Sequence, residues 1–239
     1  MFQANIVGGG WVTARGHGRL LAGDALELSS AVPELPPGKT VFGEQAPRLG
    51  RLDRYTRAGF TAAALALRDA GLDSAEDFRA VGVVGGSRWE CLETDLAYQR
   101  TTMHAGGAEA SPHLFSYTLP GVVLGECAVH FRLTGPTLSV GDDSGAEALR
   151  AAMRLLRGGH AEMMLAGWIE CPPQGEPSLS VGDAHQGSIF VALAPGAGRA
   201  DRTLTLGSGG ALSKSGQEIG SIAELFPMRQ SRSLRPMQD

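Results

Sequence analysis

The sequence predicts an α/β fold with a largely parallel sheet. Three observations carry that expectation. Short β-branched runs alternate along the chain with helical segments. Two of the runs, "NIVGGG" and "VGVVGGS", stop at glycines, as strands do when they feed tight connections. The longest helical segment places its apolar residues mostly on one face. With 239 residues, 43% of them hydrophobic and 19% charged, the chain can bury a substantial core.

Each element follows in order. Residues 5–14 read as a first strand running into glycines, and residues 15–50, rich in Pro and Gly, read as loop. Residues 51–72 form a helix in which Leu52, Tyr55, Phe60, Ala63 and Leu67 share a face and Gly71 ends the pattern. Residues 79–87 are a buried strand, 109–121 an extended loop, and 123–133 a helix. A strand at 137–140, a helix at 144–159 and a strand at 161–170 follow. Residues 187–195 and 202–208 read as two further strands, and 221–228 as a short helix. Residues 1–228 are taken as one domain and 229–239 as a polar tail.

Composition excludes several classes. The net charge is −4 and no basic patch interleaved with aromatics occurs, so nucleic acid is not expected as a partner. No apolar run approaches the roughly 20 residues that span a bilayer. The first residues lack a basic stretch leading into a long apolar one, so a cytoplasmic location is expected. Cys91, Cys127 and Cys171 form no CxxC pair and no metal pattern, which fits reduced thiols; neither a metal nor a cofactor is expected.

The stretch "SVGDDSGAEAL", residues 139–149, carries the chemical question, because Ser144 sits between a strand and a helix. "IVGG" with "GDDSG" is superficially similar to trypsin-like proteases, but those need a His base, a buried Asp and β-barrels. The nucleophile elbow G-x-S-x-G lacks both glycines here, and "VVGGS" and "GSGG" lack the Lys-Ser/Thr ending of a phosphate loop.

Several ordered blocks resemble β-ketoacyl-acyl-carrier-protein synthases: "GRLDRYTRAGFTAAALALRDAGL", "VGVVGGS", "ASPHLFSYTLPGVVLGECAVHFRLTGP" and "GHAEMMLAGWIE". Together they cover roughly residues 5 to 195. The resemblance implies a thiolase-like fold, N-terminal half only, a layered α-β-α arrangement with a mixed, mostly parallel sheet. It places Ser144 at the family's acyl-accepting cysteine, preceded by Asp142 and Asp143 where the family has a small pair. A condensing cysteine works as a thiolate, helped by a helix N-terminus, whereas a serine needs an adjacent base. Two aspartates would repel a malonyl extender. They read equally as cap or dipole partners of the helix that follows, with Ser144 or Asp143 as the N-cap.

The family's two decarboxylating histidines, or His and Asn, belong to a second half that this sequence does not display, and no histidine follows His185. His17, His104, His113, His130 and His160 read as incidental loop or helix residues, with His113 in "SPHLF" kept as a candidate. The resemblance implies a chain-length-factor-like subunit that does not condense by itself, works in fatty-acid or aryl-polyene-like polyketide synthesis with acyl carrier protein, and pairs as a heterodimer with a full-length ketosynthase. Leu138 then lies on the pairing strand, and His113, Leu114 and Phe115 beside the partner's acyl tunnel. Ordinary core packing remains the other reading of Leu114 and Phe115. The alternatives for the whole chain are an acyltransferase using Ser144, helped by Asp142, Asp143 or His113, and a homodimeric module that binds acyl groups or carrier protein.

Overall fold

In the computed structural model, residues 1–43, 49–73, 79–103, 105–175 and 184–229 are described. The strands are β1 (Phe2–Thr13), β2 (Gly16–Arg19), β3 (Val81–Ser87), β4 (Thr137–Gly141), β5 (Met163–Glu170), β6 (Gly187–Pro195), β7 (Thr203–Leu206), β8 (Leu212–Lys214) and β9 (Gln217–Glu218). The helices are α1 (Gly38–Phe42), α2 (Arg54–Asp69), α3 (Leu92–Thr102), α4 (Pro112–Phe115), α5 (Val122–His130) and α6 (Ala146–Arg157). All nine strands join one sheet in the order β4-β3-β5-β6-β1-β7-β8-β9, with β2 on the side of β1.

The sheet is mixed. β3 runs parallel to both β4 and β5, and these are the strands reached through helical crossovers. β6 turns back antiparallel on β5, and β1, β7, β8 and β9 continue in antiparallel pairs. Parallel pairing therefore occupies the β4-β3-β5 side, and the hairpin-like connections beyond it set the antiparallel remainder.

Alternation along the strands builds two cores. Val84, Met164, Ala166, Ile189, Val191 and Leu193 face α6, while Val81, Val83, Leu165, Ile169, Phe190 and Ala192 face α2 and α5. A sheet apolar on both faces needs a helical layer on each, which gives α-β-α. α6 lies on the first face with Ala148, Leu149, Ala152 and Met153 buried, and its charged residues Glu147, Arg154 and Arg157 outside.

α2 begins at Asp53, whose carboxylate accepts the Thr56 N–H at 2.8 Å and the Thr94 hydroxyl at 2.6 Å. One side chain thus caps α2 and ties it to α3. α2 then lies directly on β1. A Cβ placed on Gly10 would come within 2.4 Å of the Ala66 nitrogen, and one on Gly8 within 2.6 Å of the Ala70 nitrogen. Backbone meets backbone there, which only glycine permits.

Several segments differ from the sequence expectation: residues 15–50, read as loop, contain β2 and α1, and α3, β8 and β9 are additional elements. Residues 109–121 are not wholly extended, since Ser111 caps the single-turn α4 through the Leu114 N–H at 3.3 Å. Residues 222–225 form a 3-10 turn rather than the start of a longer helix, and Phe226 returns to extended backbone. No helix among the described residues is long and apolar enough to cross a membrane. Residues 230–239, nearly all of the expected tail, and His104 lie outside the described residues.

Candidate functional site

Parallel strands end on one side of a sheet, and the turn after β4 brings residues 142–145 to that end. Asp142 is 7% exposed and directs its carboxylate back into the turn. Oδ1 accepts the Ser144 N–H at 3.0 Å and the Gly145 N–H at 2.9 Å, and Oδ2 accepts the Ala148 N–H at 2.9 Å. The start of α6 is therefore capped by Asp142. This corrects the expectation that Ser144 or Asp143 is the N-cap. Gly145 occupies the N-cap position with φ 79°, and the chain can take that left-handed step only because the residue lacks a side chain. The cap is then supplied from three residues upstream. Asp143 is exposed and contributes only its carbonyl, which accepts the Trp168 indole N–H at 3.1 Å.

Ser144 donates its hydroxyl to Asp142 Oδ1 at 3.2 Å and accepts the Ala146 N–H at 3.3 Å. Its carbonyl accepts two donors from the C-terminal segment, the Ile222 N–H at 2.9 Å and the Ser221 hydroxyl at 3.1 Å. Ser221 and Glu224 form a capping box that holds this segment in place.

Ser144 lines a cavity of about 250 Å³ with Trp89, Trp168, Glu170 and His185. Leu28, Ile189 and Ile222 supply apolar wall, and Arg88 and Asp143 charged wall. Glu170 is 3% exposed. Burial pushes its carboxyl up to about 7, opposed by the N–H groups of Arg88 and Trp89, each at 3.3 Å. The Arg88 charge also lowers it, and Asp143 adds to the rise. A carboxyl that titrates near neutrality in a cavity wall is a group able to hold or release a proton there.

The other sequence candidates lie elsewhere. His113 is exposed on α4, edge-on to Tyr117 with ring centroids 5.5 Å apart, and is not in the wall of the Ser144 cavity. Leu114 is half-buried beside it and Phe115 is 60% exposed, its ring against Tyr98. Leu138 is 42% exposed on β4, whose one neighbour in the sheet among the described residues is β3. His185 and Glu170 also line the Ser144 cavity, beside Asp143, and sequence reasoning assigned neither a role. An acidic residue closing an otherwise apolar strand, "MMLAGWIE", was the available signal for Glu170.

All three cysteines are buried. Burial pushes the thiols of Cys91 and Cys171 up to about 12 and raises that of Cys127 as well. A thiol held protonated is not a nucleophile.

Comparison with known proteins agrees with this architecture. The model of the β-ketoacyl synthase N-terminal domain matches residues 36–184, most of the chain. The chain belongs to the β-ketoacyl synthase family. It is 31% identical over 131 residues to nodulation protein E of Rhizobium sp. (strain N33), covering 52% of this chain and 32% of that protein. It is 32% identical over 126 residues to 3-oxoacyl-[acyl-carrier-protein] synthase 2 of Rhizobium meliloti (strain 1021), covering 51% and 30%. The aligned stretches thus span about a third of the length of these curated relatives.

Among solved structures, the ishigamide ketosynthase/chain length factor superposes with a TM-score of 0.62 at 22% identity, over 84% of this chain and 64% of that one. A ketosynthase in complex with its chain length factor from Xenorhabdus doucetiae gives 0.60 at 16% identity, over 83% and 81%. At these identities the likeness establishes the thiolase-like ketosynthase fold.

Proposed function

We propose that this chain is a non-condensing, chain-length-factor-like subunit that pairs with an active ketosynthase in type II fatty-acid or aryl-polyene-like polyketide synthesis on acyl carrier protein. The Ser144–Asp142 pair carries the reading. The hydroxyl at the family's acyl-accepting position is tied to a carboxylate that already takes three backbone N–H groups as the cap of α6. A carboxylate committed to the backbone is a structural acceptor, and its negative charge opposes the oxyanions of condensation. The solved relative described as a ketosynthase with its chain length factor supports the pairing. So does β4, an edge strand among the described residues with Leu138 exposed on it. An open apolar edge is normally covered, and an obligate partner would bury upward of roughly 2,000 Å².

The test is co-expression with a full-length ketosynthase followed by purification and assay. The chain alone should form no carbon–carbon bond from acyl- and malonyl-carrier protein, and Ser144→Cys should not make it do so. Leu138→Asp should abolish co-purification while Arg199→Ala, in an exposed pair with Asp201, leaves it intact. In the assembled pair, Leu114→Ala should lengthen the product. Condensation by the chain alone, or a complex that survives Leu138→Asp in a folded mutant, would sink the corresponding part.

A second reading rests on the cavity: Ser144, His185 and a carboxyl titrating near 7 sit in one wall. It makes the chain an acyltransferase, and a covalent acyl adduct on Ser144 in intact mass would select it. A homodimeric acyl- or carrier-binding module would instead purify as a stable dimer without any ketosynthase.

A further inference from the structure

Glu170, the last residue of β5, takes no part in the pairing proposed above, and its setting suits a carboxylate poorly. It is 3% exposed, and among the described residues it belongs to no ion pair. Each of its oxygens accepts a single backbone N–H, Oε2 from Arg88 and Oε1 from Trp89, both at the long distance of 3.3 Å. The Arg88 guanidinium lies over the Trp89 ring, 5.4 Å from its centre, and not on the carboxyl group. A buried charge held by two long hydrogen bonds and no counter-ion is costly.

The groups around Glu170 do little to offset that cost. Burial is the largest influence and pushes its carboxyl up to about 7. Arg88, exposed on the turn after β3, lowers it, and Asp143, on the turn before α6, raises it. Tyr55 on α2 and Cys171 just after β5 also feel its charge, and burial keeps both of them protonated. Ser144, His185 and Ser221 are the other polar side chains in the cavity wall. Glu90, on the same turn as Arg88, is raised as well, by burial and then by Asp95.

What Glu170 holds is the turn Arg88–Glu90. Glu90 takes φ 50°, a left-handed conformation that is costly for a residue with a side chain, and its N–H rests on Ser87 Oγ at 2.8 Å. Arg88 and Trp89 line the Ser144 cavity, while Arg88 and Glu90 line a neighbouring hollow of about 580 Å³. The turn is thus part of the partition between the two spaces. With the turn in place, Glu170 is dry and favours its proton. With the turn lifted, water reaches the carboxyl group, which then ionises at its ordinary value. The arrangement that gives up the proton more easily gains as pH rises. We infer that Glu170 is a proton-operated catch: protonated, it lets the Arg88–Glu90 turn lie on the end of β5 and close the Ser144 cavity, and ionised, it draws in water and releases the turn. The catch operates whichever function the Ser144 region serves.

The experiment follows amide exchange in the full chain at a series of pH values, corrected for intrinsic rates, with and without a low concentration of urea. Protection of the Arg88 and Trp89 amides should fall by up to roughly 300-fold between pH 4.5 and about 7, the ratio that the difference between those two values sets, and then level off. Low urea should leave exchange at these two amides unchanged, because the opening is local, and should speed exchange at Val191 in the buried strand β6. The Trp89 indole N–H is buried without a hydrogen-bond partner, so its exchange reports water entry directly and should quicken over the same range. Glu170→Gln should remove most of the pH dependence at Arg88 and Trp89. Protection there that ignores pH, exchange as sensitive to urea as that of Val191, or a fall undiminished in Glu170→Gln would each overturn the inference. The comparison of Arg88 and Trp89 with Val191 is made in the parent protein, so the test decides even if Glu170→Gln fails to fold.

Discussion

Replacing Asp142 with alanine isolates the interaction on which the Ser144 turn depends. The carboxylate takes three backbone N–H groups and one hydroxyl. The bonds from Gly145 and Ala148 are buried, and in Asp142→Ala their donors lose their partner. A buried donor left unpaired costs about 1–3 kcal/mol, and an ordinary cap lost to alanine about 0.5–2 kcal/mol. The Ser144 N–H is only part-buried and can turn to water. The expected loss is therefore about 2–4 kcal/mol. Asp142→Asn keeps one acceptor oxygen for Ser144 and Gly145 and should lose about half as much. Urea unfolding followed by tryptophan fluorescence is the assay, since Trp168 donates to Asp143 and reports on this turn. The slope with urea should not change, so the midpoint carries the effect. Asp143→Ala, at an exposed side chain, is the comparison and should stay within ~0.5 kcal/mol of the parent. An Asp142→Ala protein as stable as the parent, or one no weaker than Asp143→Ala, would refute the capping argument and with it the main objection to Ser144 as a nucleophile.

Further predictions concern the same end of the sheet. Glu170 keeps its proton up to about pH 7 in the fold, against 4.5 ordinarily, so the native state binds more protons across that window. Stability should fall as pH rises from about 4.5 to 7 and stay low above it, by of order 3 kcal/mol. Glu170→Gln should flatten this slope and raise stability at pH 8; equal slopes in both proteins would refute it. Gly145→Ala should cost about 2–4 kcal/mol, because its Cβ would stand 2.5 Å from Ile222 in a left-handed conformation; thermal melting checks it. Asp53→Ala should cost about 1–3 kcal/mol by uncapping α2 and releasing Thr94, and amide exchange should rise in both α2 and α3.

The parts of the fold legible in the sequence are those whose local signals agree with their tertiary setting. α2 has a capping aspartate, a run of good helix formers and a stopping glycine, and it begins three residues inside its expected start. β3 and β5 read as buried runs because both sheet faces are covered. α3 went unread. Its segment "LETDLAYQRTT" has no apolar stripe, and it is positioned from outside, by Thr94 on Asp53 and Glu93 on Arg54 at 2.8 Å. The β8–β9 hairpin had a readable signal, a Ser-Gly pair now seen at φ 52° and 80°, but its strands are too short to show alternation. The site divides the same way. Ser144 and its aspartates were visible as a motif, whereas which aspartate caps the helix depended on where the turn aims each side chain. Glu170 and His185 reach the cavity only because β5 ends, and β6 begins, beside it.

The contact of α2 with β1 bears on how the molecule can move. Where two elements are separated by side chains, rotamer changes act as a bearing and let one slide over the other. Between Gly8, Gly10 and the stretch from Ala62 in α2 to its C-cap Ala70 there is no such cushion. Helix and strand must travel as one stiff piece, and β1 transmits that stiffness to β6 and β7 through its ladders. The Ser144 cavity has the opposite construction. Trp168, Glu170 and Ile189 of its wall stand on β5 and β6, but the rest is gathered from the segment after β3, the turn before α6 and the stretch around Ser221, which belong to no shared element. Relative movement is therefore expected in those loop segments of the wall rather than between α2 and β1.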